Sequence, residues 1–238
     1  VLEAAFWGLV TASSLLLGAA LASVARPSGR LVGLTIAFGS GALIAAVAYE
    51  LVLEAYRASF GLAALGFALG AGAFYVGDWL VDRRGGHGRK ALAGPPLAEM
   101  AGAIVLGTVL DGIPESFVLG SSLHTDGSVP VAVVASVFVS NVPESLSATS
   151  GLLGSGWSRG RLFRMWGAVV AVSVLAAAAG WIVLEALGGE GGAFALAFAG
   201  GALLVMVADT LMPEAFALAG RDAGLLTALG FALGFGLS

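Results

Sequence analysis

Two stretches of this chain set a carboxylate beside a proline inside apolar sequence: Leu110 to Ser122, LDGIPESFVLGSS, and Val139 to Gly151, VSNVPESLSATSG. An ionised acid without a counter-charge costs several kcal/mol in hydrocarbon, so acids kept there have a partner or a cargo. Asp111 and Glu115 are four residues apart and share one helical face. Glu144 occupies the equivalent depth in the second stretch, with Ser140 one turn earlier and Asn141 beside it. Three carboxylates at one level repel unless protons or a cation neutralise them, and a divalent cation is the simplest neutraliser. Pro114 and Pro143 have no amide hydrogen, so the carbonyls of Leu110 and Val139 lose their helical donors and are available as oxygen ligands beside the acids. The competing reading is structural: the prolines shape the bundle, and the acids accept hydrogen bonds from Ser116, Ser145 or Ser147.

Elements long enough to cross a bilayer must carry these residues. The chain is 58% apolar and 11% charged, with a mean hydropathy of +0.98, far outside the balance of a soluble domain. It reads as an all-α polytopic membrane protein, a single transmembrane domain over residues 1–238 with no soluble module. Apolar runs of roughly 20 residues predict eight spans, at about 4–24, 31–54, 60–81, 97–122, 129–153, 164–187, 193–217 and 222–238. The first is read as a true span rather than a cleavable signal. There is no cysteine, and both histidines, His87 and His124, fall in polar breaks, where solvation is the expected state. Ligands inside the membrane are therefore expected to be oxygen. The acidic pI of about 5.1 comes largely from acids in or near the spans; no nucleic-acid partner is expected.

Charge placement gives the orientation. Alternating sides puts Arg26, Arg30, Arg83, Arg84, Arg89, Lys90, Arg159, Arg161, Arg164 and Arg221 together and leaves Arg57 alone opposite. By the positive-inside rule both termini face away from the cytoplasm, in the cell membrane. Ala37 to Ala55, AFGSGALIAAVAYELVLEA, aligns without gaps on Ala197 to Ala215, AFAGGALLVMVADTLMPEA, and the following span of each carries ALGFALG, at Ala64 to Gly70 and Ala228 to Gly234. Spans 1–3 and 6–8 are thus repeats of opposite orientation, with spans 4 and 5 a central inverted pair: a 3+2+3 arrangement typical of secondary transporters with a midplane site. Glu50 and Glu54 then approach one mouth, Asp209 and Glu214 the other, with Glu50 and Asp209 deeper and read as functional.

At these residues the chain resembles the Zrt/Irt-like (ZIP) family of divalent metal transporters, over nearly its whole length. The family's span 4 motif, His-Asn-x-Pro-Glu-Gly, is matched by Asp111-Gly112-Ile113-Pro114-Glu115-Ser116, and its span 5 motif by Ser140-Asn141-Val142-Pro143-Glu144-Ser145. The patterns ending in Pro-Glu-Ala correspond to Leu53-Glu54-Ala55 and Pro213-Glu214-Ala215. The resemblance implies no enzymatic activity, a metal ion as substrate, entry into the cytoplasm by alternating access, and an elevator-like shift of spans 1, 4, 5 and 6 against 2, 3, 7 and 8. A homodimer is left open. This chain departs from the pattern where Asp111 and Ser140 replace histidines, Gly112 replaces asparagine, and span 6 lacks a central acid. The departures point to one cation held by Asp111, Glu115 and Glu144, with Asn141 or Glu50 completing the shell. Loss of imidazole favours hard ions such as Mn²⁺, Fe²⁺ or Mg²⁺, while the resemblance itself favours Zn²⁺. Two other classes fit the same acids: a proton or monovalent-cation carrier, and an intramembrane hydrolase using Asp111 and Asp209.

Overall fold

The computed structural model describes residues 1–25, 27–83, 101–126, 129 and 131–237. Arg26, most of the basic loop with His87, Glu99, the first residues predicted for span 4 and the Gly127-Ser128 turn lie outside them. The described residues form seven helices and no strand: α1 (Leu2–Val24), α2 (Gly29–Ala58), α3 (Phe60–Val81), α4 (Ala101–Asp126), α5 (Val131–Gly154), α6 (Arg159–Ala219) and α7 (Asp222–Leu237). Capping marks the starts. Ser28 accepts from Leu31 N at 3.3 Å and Ser158 accepts from Arg161 N at 3.3 Å, each satisfying an amide that the first turn leaves open.

The count of eight separate spans is not reproduced. Spans 6 and 7 run as one 61-residue element, α6, because only Gly188 (φ 55°, ψ 172°) and Gly189 (φ 37°, ψ −120°) depart from helical geometry between them. Both positive φ values suit glycine. The break folds the element back on itself: its first arm, 159–187, runs parallel to α4 through Gly112–Ser173, Gly120–Ala177 and Phe117–Gly180, and its second, 190–219, runs parallel to α3 through Gly66–Phe194 and Gly70–Phe198. Among the described residues, α1, α2, α3, α5 and α6 are long and apolar enough to cross a membrane. α7, with 16 residues, is apolar but shorter than these. Leu2, Phe60, Leu175 and Leu225 stand at least two-thirds, or nearly so, exposed, an apolar outer surface suited to lipid.

The repeat is visible in the packing. Gly70 lies against the carbonyl of Phe198, and Gly230 against that of Phe38; Gly201 meets the carbonyl of Phe67, and Gly41 that of Thr227. Each partner in one set differs by 160 positions from its counterpart (70 and 230, 198 and 38, 201 and 41, 67 and 227). The same shift carries the π-helical turn Val47–Val52 in α2 onto Val207–Leu211 in α6, and Ser28-Gly29, where α2 begins, onto the Gly188-Gly189 break. The identical ALGFALG segments are therefore one helical turn out of structural register. Their Ala-Leu-Gly units recur every four residues, so sequence identity alone selects the wrong one.

Candidate metal site

α4 and α5 each carry an internal proline, Pro114 and Pro143, followed directly by the acids Glu115 and Glu144. Glycines bring other helices hard against the same places. Gly18 of α1 packs on Ser145 and the Val142 carbonyl, Gly39 of α2 on the backbone of Ser140, and Gly180 of the first arm of α6 on the Phe117 carbonyl of α4. A side chain at these positions would collide with backbone, so the close approach depends on glycine. Trp166, fully buried in α6, donates its indole N–H to Thr149 Oγ1 at 2.8 Å and fixes α5 laterally.

Asp111, Glu115 and Glu144 are 0%, 1% and 3% exposed. Ser140, at 2%, and Asn141, at 5%, are buried with them. The Ser140 hydroxyl lies 3.4 Å from Glu115 Oε1, joining the two proline-bearing helices, and also donates to the Val137 carbonyl at 3.1 Å. Ser145 donates back to the Asn141 carbonyl at 2.8 Å, so its hydroxyl serves its own helix. Ser147 serves an acid of another element, donating to Glu214 Oε1 at 2.6 Å.

The arrangement brings together Glu115 and Ser140 and buries Asp111, Asn141 and Glu144 in the same proline-bearing segments. Among the described residues no three His, Cys, Asp or Glu side chains are gathered at metal-ligand spacing. Any cation held here would draw on hydroxyl, amide or carbonyl oxygens as well as on acids. Glu50 is half-buried within the π-helical turn of α2. Asp209, in the corresponding turn of α6, is exposed while its neighbours Thr210 and Leu211 are buried. The sequence places Asp209 deep along the chain but does not show which side of the helix it takes.

Two features escape sequence reading. Glu214, placed near a mouth by the sequence, is buried and accepts a hydrogen bond from Ser147. His124 is half-buried instead of solvated, with its ring edge-on to Trp181 at 4.9 Å. Its position four residues after Gly120, which packs on α6, is the signal that the same face continues into the bundle. Compared with known proteins, the chain matches no family model and no curated sequence.

Proposed function

We propose that the chain is a carrier that moves a divalent metal cation across the membrane, with eight crossings made by the seven helices because the two arms of α6 each cross once, and with both termini on the side away from the cytoplasm. A straight helix of 61 residues would reach about 90 Å at 1.5 Å per residue, roughly three times the hydrocarbon thickness. Folded at its glycines, it supplies two crossings. The reading is carried by the burial of Asp111, Glu115 and Glu144 in two proline-bearing helices joined through Ser140 and Glu115. Acids sealed from water are neutralised by protons or by a cation, and a pair of inverted repeats around them supports access from alternate sides. The resemblance to ZIP transporters accords with this, with the metal entering the cytoplasm.

Purified protein in liposomes is expected to take up Mn²⁺, Fe²⁺ or Zn²⁺, and Glu115→Ala and Glu144→Ala each to reduce initial uptake at least tenfold. Undiminished flux in both variants rules the site out. The absence of a three-acid metal cluster among the described residues favours a second reading, a proton or monovalent-cation carrier using the same acids. It predicts flux that follows a pH gradient and ignores divalent metals.

A further inference from the structure

The two repeats enclose a pair of cavities, one at each end of the bundle, related by the same inversion. One, of about 290 Å³, is lined by Glu54, His124, Leu184, Gly188, Gly189 and Gly192, among others. The other, of about 910 Å³, is lined by Val24, Gly29, Val32, Leu153, Ser150 and Arg159, among others. The 160-position shift takes Val24, Gly29 and Val32 onto Leu184, Gly189 and Gly192. The 29-position shift that takes Pro114 onto Pro143 takes His124 onto Leu153. The cavities are therefore counterparts in backbone and opposites in chemistry: a carboxylate and an imidazole line one, a guanidinium the other.

We infer that the cavity bounded by Glu54, His124 and the Gly188-Gly189 break is a second divalent-cation site, separate from the buried acids, that takes ions with affinity for imidazole, such as Zn²⁺ or Co²⁺. His124 Nδ1 is buried and has no hydrogen-bond partner among the described residues, while the Trp181 contact holds the ring in place. Glu54 is engaged by Arg57 at 3.7 Å with both side chains substantially exposed, a loose surface pair that a metal can displace. The break at Gly188 ends the first arm of α6 here, and the last carbonyls of a helix carry partial negative charge. Imidazole, carboxylate and carbonyl or water form a ligand set that suits borderline ions better than Mg²⁺. With two protein side chains the site is weak and exchanges quickly, as loading requires. Arg159 at the opposite cavity, donating to the Ser23 carbonyl at 2.9 Å, repels a cation there. Loading from one end only is what this asymmetry provides. The role in loading rests on the carrier reading, but binding at His124 is measured apart from it.

The full chain carrying His87→Gln retains His124 as its single histidine. Labelled with ¹⁵N-histidine in nanodiscs and titrated with Zn²⁺, it is expected to show one imidazole nitrogen moving by tens of ppm. The shift persists in Glu115→Gln and Glu144→Gln, and in Glu54→Gln it needs at least tenfold more metal. An imidazole unmoved at saturating Zn²⁺ overturns the site, as does a shift that vanishes with the buried acids or is indifferent to Glu54→Gln. Normal transport by the Glu115 and Glu144 variants would remove the midplane reading and leave this one standing.

Discussion

At the scale of single residues, the fold treats two equivalent acids differently. Glu54 and Glu214 occupy matching positions in the repeats, yet Glu54 opens onto a cavity and Glu214 is 8% exposed and accepts from Ser147 at 2.6 Å. The hydroxyl has no counterpart: the residue equivalent to Ser147 in α4 is Val118. Removing a donor from a buried acceptor costs about 1–3 kcal/mol, so Ser147→Ala is expected to lower the unfolding free energy by that amount in a mixed-micelle denaturation. Ser150→Ala, whose hydroxyl only donates to the Leu146 carbonyl in its own helix at 2.8 Å, serves as the control and stays within about 0.5 kcal/mol. The buried acids were legible from sequence because a carboxylate beside a proline inside an apolar run has no cheap alternative environment. Asp209 and His124 were not: whether a polar residue near the end of an apolar run faces in or out depends on a neighbouring helix that sequence does not place.

Among the elements, glycine decides which helices touch. The carbonyls that α6 and α2 present to Gly70 and Gly230 leave no room for a Cβ, whereas Gly72, two residues on and so on the far side of α3, has open space around it. Gly70→Val is therefore expected to separate α3 from the second arm of α6 and cost about 1–3 kcal/mol or more through overpacking. Gly72→Ala is expected to be neutral or to stabilise by about 0.5–1 kcal/mol, since it removes backbone freedom from the unfolded chain. Reversible unfolding of the pair checks the difference, and equal effects would contradict the close approach. The apolar runs announced nearly every helix, because burial from water needs only composition and length. The joint inside α6 was less legible: the Gly-Gly-Glu break reads as a loop, but two residues suffice to reverse the chain, and the helical hydrogen bonding resumes at once. The gap-free alignment of 37–55 on 197–215 carries the same 160-position shift as the packing, whereas the identical ALGFALG segments match four positions further on, since a four-residue recurrence of Ala-Leu-Gly satisfies the same close contact at more than one turn.

Across the whole molecule, the reversal at Gly188 determines where every later segment lies. If the two arms of α6 cross in opposite directions, Ser158 at its start and Glu190 just past the break lie at opposite faces of the membrane. Arg159, Arg161 and Arg164 follow Ser158 closely, so the proposed orientation, drawn from the positive-inside rule, has that end in the cytoplasm. The packing agrees on the pairing of ends: α2 runs antiparallel to the second arm, with Gly33 against Leu218 and Gly200 against Leu51, and Arg30 meets Asp222 at 2.6 Å where both helices turn. The chain has no cysteine, which makes the sidedness directly measurable. Glu190→Cys is expected to react with a membrane-impermeant maleimide added to intact cells, and Ser158→Cys only after the membrane is opened. Both residues lie outside the buried interior, so reagent access differs by side and not by packing. Labelling of both from the same side would mean that α6 returns without crossing, which would leave the repeats parallel in the membrane and remove the inversion on which the proposed alternating access depends.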